Sequence, residues 1–125
     1  IVLYPTAIGS GLGGGGDLLT GNDSVNAWRN AMCGHAACNI MPVVTSNRIG
    51  REYMTEGRKS HLDFYGNSFI ADHEGQVVEQ AARDQEEVLV HRFDFQKVKE
   101  YRDSWAVFRD RRPDLYGALT TLDGG

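Results

Sequence analysis

Apolar and polar positions follow two different periods along this chain. The opening run Ile1-Val2-Leu3-Tyr4 is apolar throughout and closed by Pro5, as in a buried strand. Seven glycines between Gly9 and Gly21 then make a loop. Val25, Trp28, Met32 and Ala36 recur at three- and four-residue spacing, which predicts a helix from Ser24 to Ala37 with Asp23 or Ser24 as N-cap. Met41 to Asn47 is a second mostly apolar strand, with Pro42 tolerable only at its start. Strand, helix and strand with a short return form a βαβ unit, so these two strands are expected to be parallel.

Arg48 to Leu62 is polar and is expected to be a loop. Phe64 to Ala71 has the composition of a strand, Asp72-His73-Glu74-Gly75 that of a hairpin turn, and Gln76 to Ala81 the antiparallel return. Val88 to Phe93 is a further predicted strand. Asp94 is placed to cap a helix running to Tyr101, and Val107 to Leu122 forms a tail with one last short helix. The pattern is that of a mixed, layered α/β half-sheet in which several strands lack partners.

Composition narrows the function. The 125 residues fit one domain, and no apolar run reaches the ~18 residues of a membrane span. Thirteen basic against 17 acidic residues give a net charge of -4, which disfavours nucleic acid as a partner. Two cysteines make no disulfide scaffold, and the start shows no leader pattern, so the cytoplasm is the expected location. The chain opens at Ile1 inside an apolar run, and is expected to be a piece of a longer protein.

Several motifs have bland readings that outweigh the chemical ones. Gly9-Ser10-Gly11-Leu12-Gly13-Gly14 matches a dinucleotide-loop pattern. The helix, however, starts too late to hold a pyrophosphate, and no acidic residue ends the second strand. Cys33, His35 and Cys38 have the residue types of a metal site. On an unbroken helix, though, the two cysteines lie roughly 140° apart, too far to grip one ion or to close a disulfide. They are expected to be buried or semi-buried thiols, His35 a packed histidine, and Gly34 a point of close approach. Arg109, Arg111 and Arg112 are interleaved with acids, which predicts a salt-bridged tail or an interface. Asn22-Asp23-Ser24 fits a glycosylation sequon that means little without a leader.

The positive signal lies at strand ends, because parallel α/β sheets bind ligands beyond the carboxyl ends of their strands. Tyr4-Pro5-Thr6-Ala7 and Thr45-Ser46-Asn47-Arg48 combine small and hydrogen-bonding residues there. Tyr65-Gly66-Asn67-Ser68 is a third candidate wall, and ordinary turn residues remain the competing explanation.

YPTAIGS, WRNAMCGHAACNIMPVVTSNRIG, FYGNSFIADHEG, VFRDRRPDLY and LTTLDG resemble, in that order, the nitrilase or carbon–nitrogen hydrolase superfamily. The resemblance covers nearly the whole chain and breaks around Gly11 to Gly21. It implies the C-terminal part of a four-layer αββα sandwich that forms homo-oligomers, dimers or higher. It implies hydrolysis of a small ureido amine, N-carbamoylputrescine, to putrescine, carbon dioxide and ammonia, with no metal or organic cofactor. The cysteine nucleophile, glutamate base and lysine of such enzymes precede the segment matching Ile1, so no catalytic residue is assigned here. Tyr4, Pro5, Thr6, Ala7 and Ile8 match a pocket wall, and Asn47 the polar strand end beside it. Trp28 and Arg111-Arg112-Pro113 match structural positions, expected in subunit contacts. Asp17 and Glu52 are candidate partners for the distal ammonium. The alternatives are an N-carbamoyl-amino-acid or β-ureidopropionase-like hydrolase and a non-catalytic interaction protein.

Overall fold

The computed structural model describes residues 1–10, 24–53 and 61–123. They form two compact units, residues 1–94 and 95–125. The first unit holds seven strands and one helix: β1 (Val2–Thr6), β2 (Gly9–Ser10), α1 (Val25–Asn39), β3 (Val43–Asn47), β4 (Ile49–Tyr53), β5 (His61–Tyr65), β6 (Phe69–Ala71) and β7 (Val77–Gln80). The second holds α2 (Phe95–Trp105) and two 3-10 turns, Pro113–Leu115 and Gly117–Thr120. No helix among the described residues is long and apolar enough to cross a membrane.

A four-stranded sheet runs β1-β3-β6-β7, with β1 parallel to β3 and the other pairs antiparallel. The parallel βαβ unit is therefore as expected. Alternation along the strands turns Val2, Tyr4, Val43, Phe69 and Ala71 to one face, where the apolar stripe of α1 covers them. Trp28 anchors this core: its ring packs edge-on to Phe69 at 5.5 Å and tilted against Tyr65 at 5.9 Å. Trp28 is 8% exposed, so it is a core residue and not a subunit contact. The opposite face carries Leu3, Val44 and Ile70 in one row, and Leu3 is largely exposed.

A second, three-stranded antiparallel sheet runs β2-β5-β4. Besides the return from β2 to β3 by way of α1, the chain makes three short passages directly from one sheet to the other: from β1 to β2 at residues 7–8, from β3 to β4 at Arg48, and from β5 to β6 at residues 66–68. Gly9 enters β2 so close to β5 that any side chain would collide with the Asp63 carbonyl. Gly66 has φ +50° and faces the Arg83 carbonyl just as closely.

Several expectations are corrected here. Pro5 lies inside β1 rather than closing it, because among the described residues β1 is the edge of its sheet and bonds to β3 on one side. Residues 48–62 are not a plain loop: they include β4 and the start of β5, paired in register from Ile49↔Tyr65 to Tyr53↔His61. The predicted strand from Phe64 to Ala71 is broken by Gly66 and Asn67, both at positive φ, and its halves join different sheets. Val88 to Phe93 forms no strand, having no ladder partner among the described residues. The second helix runs to Trp105, past Tyr101.

The hairpin through Asp72 to Gly75 is as predicted. The Asp72 carboxylate accepts from the amides of Glu74 at 3.0 Å and Gln76 at 2.9 Å. Ser24 is the N-cap of α1, yet its hydroxyl lies beside Tyr65 at 3.3 Å instead of capping the helix. The glycine-rich loop beyond Ser10, the sequon, Asp17 and Asp23 lie outside the described residues.

In the second unit, the Arg102 and Arg111 guanidiniums each lie 5.1 Å from the centre of the Phe108 ring. Arg109 pairs with Asp110, and Arg112 with Asp114, so the tail is salt-bridged as its interleaved charges predict.

Candidate substrate-site wall

The parallel pair β1 and β3 ends at the Thr6↔Asn47 rung, and the chemistry of the strand ends begins there. The Asn47 carboxamide continues the ladder with its side chain. Its Oδ1 accepts from the Ile8 amide at 2.9 Å, and its Nδ2 donates to the Ile8 carbonyl at 3.0 Å. The second Nδ2 hydrogen goes to the Gly66 carbonyl at 2.9 Å. Thr6 Oγ1 donates to the Ser46 carbonyl at 2.8 Å and lies 3.1 Å from Asn47 Oδ1. The Asn47 amide donates to Ser68 Oγ at 2.9 Å.

Thr6, Ile8 and Asn47 are thus brought together directly, and the Tyr65–Ser68 segment joins them as a third wall. Around the turn, the Asn67 amide donates to the Ala82 carbonyl at 3.2 Å and the Ala81 amide to that of Ser68 at 2.8 Å. Pro5 faces Ser46 across the ladder, and Ala7 is exposed at the crossing. Tyr4 points the other way, packing beneath α1 with its ring stacked on His35 at 6.4 Å. An open cavity of about 450 Å³ adjoins the strand ends, lined by Ser46, Asn47, Arg48 and Ser68 with Glu86 and Glu87. It takes in Ser46, Asn47 and Arg48 of the β3 end and Ser68 of the third wall, and none of Tyr4 to Ile8.

Other candidates are placed differently. Glu52 is held by an ion pair with Arg48. His35 packs on the Tyr4 ring with its other side exposed, Cys38 is exposed, and Gly34 has no close neighbour among the described residues. Cys33 is half-buried, and burial pushes its thiol above the ordinary range against the opposing pull of Arg29. A thiol kept protonated is a poor nucleophile. Among the described residues, no group of three or more His, Cys, Asp or Glu side chains could hold a metal ion.

A cluster on β4 and β5 escaped the sequence reading. Arg51 grips the Asp63 carboxylate with Nε at 2.5 Å and Nη2 at 2.9 Å, and His61 lies 3.5 Å from the same group. The hydrogen bond from Arg51, helped by His61, holds the Asp63 carboxyl below the usual range. The alternation Arg51–Asp63–His61 is visible only once the two strands are known to pair.

This two-sheet frame, with hydrogen-bonding strand ends collected at one point, belongs to a known class. The chain is a member of the carbon-nitrogen hydrolase family, whose pattern it matches over residues 18–103. It is 50% identical over 125 residues to the N-carbamoylputrescine amidase of Arabidopsis thaliana, a match covering 99% of this chain and 40% of that protein. It is 44% identical to a citrullinase of Francisella tularensis, covering 95% of this chain and 39% of that one. The crystal structure of a carbon-nitrogen hydrolase from Helicobacter pylori G27 superposes with a TM-score of 0.82 at 31% identity, over 97% of this chain and 41% of that one. The chain therefore spans about 40% of the length of the curated relatives it matches.

Proposed function

We propose that this chain supplies one wall of the substrate site of an amidohydrolase. The enzyme takes up water and converts N-carbamoylputrescine to putrescine, carbon dioxide and ammonia. The observation that carries this reading is the 50% identity to an N-carbamoylputrescine amidase over 99% of the chain. Pro5, Thr6, Ala7 and Ile8 form the wall, with Ile8 held by Asn47 and Tyr4 anchoring the strand beneath α1. Citrulline, the substrate class named by the 44% identical relative, carries the same ureido group on an amino acid and is the natural competitor. In this reading a cysteine thiolate from an upstream segment attacks the carbamoyl carbon, assisted by a glutamate base and a lysine. The raised Cys33 thiol supports a nucleophile other than Cys33. The chemistry needs no metal or organic cofactor, and the enzyme works in the cytoplasm as a homo-oligomer.

Ammonia release tests it. The full-length protein is expected to release ammonia from N-carbamoylputrescine in preference to citrulline and N-carbamoyl-β-alanine, and residues 1–125 alone to release none. Preference for either carboxylate substrate would overturn the choice of amine. Release by residues 1–125 alone would overturn the upstream nucleophile.

A further inference from the structure

We propose that Asn47 is a positioning residue that sets the substrate wall through the backbone of Ile8, and not a ligand of the substrate. This rests on the reading that residues Pro5 to Ile8 line the site. A carboxamide offers two N–H donors and one acceptor oxygen with two lone pairs. Both donors of Asn47 are spent on the carbonyls of Ile8 and Gly66, at 3.0 and 2.9 Å. Its oxygen takes the Ile8 amide at 2.9 Å and has Thr6 Oγ1 at 3.1 Å. No donor of the side chain is left for an incoming molecule, and its oxygen lies against the Ile8 amide and the Thr6 hydroxyl.

What the side chain does hold is the meeting point of the three short passages between the sheets. Residues 7–8, Arg48 and residues 66–68 are the places where the chain steps directly from one sheet to the other. The Arg48 amide donates to the Thr6 carbonyl at 3.2 Å and the Gly66 amide to the Arg48 carbonyl at 3.1 Å, closing a ring of bonds around Asn47. By pairing with both polar groups of Ile8, the carboxamide acts as one more peptide of β3 and fixes where β1 ends. Moving a wall by about 1 Å in an enzyme costs turnover on the order of 100-fold, because reacting atoms must be held in near-attack geometry.

The test uses the full-length enzyme with Asn47→Asp and Asn47→Gln. The aspartate keeps one acceptor but turns a carboxylate oxygen toward two carbonyls. The glutamine keeps the amide and displaces it by one methylene. Both are expected to lower kcat about 10- to 100-fold per folded active site with little change in KM, and to expose the Ile8 amide to hydrogen exchange.

A rise in KM at unchanged kcat would make Asn47 a direct ligand and overturn the proposal. So would a lowered Tm with unchanged kcat per folded site, the mark of a structural role only. Should Asn47→Asp fail to fold, Asn47→Gln decides by the same readouts. An unmodified enzyme that ignores N-carbamoylputrescine defeats the functional reading instead. The comparison of kcat with KM is then made on the ureido or amide compound that it does hydrolyse, and Ile8 exchange decides the clamp in either case.

Discussion

Thr45 sits in the core at 1% exposure, and its hydroxyl has no hydrogen-bond partner among the described residues. A buried, unpaired hydroxyl costs about 1–3 kcal/mol. Thr45→Val, which replaces it with a methyl group of similar size, is expected to raise stability by about 1 kcal/mol. The check is a higher urea midpoint at unchanged m-value. At this scale the sequence was legible where a residue's role depends on its near neighbours. The stripe Val25, Trp28, Met32 and Ala36 shows itself by spacing alone, and the core confirms it. Asn47 was legible as a polar strand end, but its task was not, because its side-chain partners lie 39–41 residues before it and 19 after. Cys38 misled for a related reason: its helix faces away from the sheet at that position, which one short stripe does not define sharply.

Between elements, the clearest energetic device is the pair of charges joining β4 to β5. The Arg51 hydrogen bond stabilises the ionised form of Asp63, so its carboxyl titrates lower in the folded state than in the unfolded chain. That contribution is fully present above the unfolded carboxylate pKa of about 3.9 and is lost as pH falls through the lower folded value. Asp63→Asn is therefore expected to lower Tm at neutral pH, with the gap to the parent protein narrowing below about pH 3.9. Thermal melts across that range check it, and a gap constant with pH would rule the ion pair out. The strands involved were hidden in the sequence because β4 is exposed at four of its five positions and shows no alternation of burial. The break between β5 and β6 did leave a signal, since Gly66-Asn67 is turn chemistry, but the apolar residues on either side read as continuous. Val88 to Phe93 shows the reverse case, strand composition with no ladder among the described residues. Local composition proposes a strand, and only a neighbour makes one.

Across the whole molecule, the parallel βαβ unit, the hairpin and the fold class follow from the chain's periodicity and its family resemblance. The resemblance implies the two β layers, but which strand joins which sheet does not follow, because it depends on three short crossings of one to three residues. Leu3, Val88 and Val90 remain largely exposed in the first unit, as do Trp105, Leu115 and Leu119 in the second. Apolar surface of this kind marks places where other protein packs, or where chains aggregate.

The junction at Asn47 also orders events in time. A bond between residues 8 and 47 can form only after the chain between them has been closed into a loop, and the bond to Gly66 needs a second closure. Such a junction completes after the strands it ties, so it is largely absent from the transition state for folding. Asn47→Leu is expected to leave the refolding rate nearly unchanged and to speed unfolding, by about tenfold for each 1.4 kcal/mol of stability lost. Stopped-flow refolding and unfolding of the full-length protein would show it, and slowed refolding would contradict it. Asn47 is then a latch on the finished fold: it governs how long the native state lasts, not how fast it is reached.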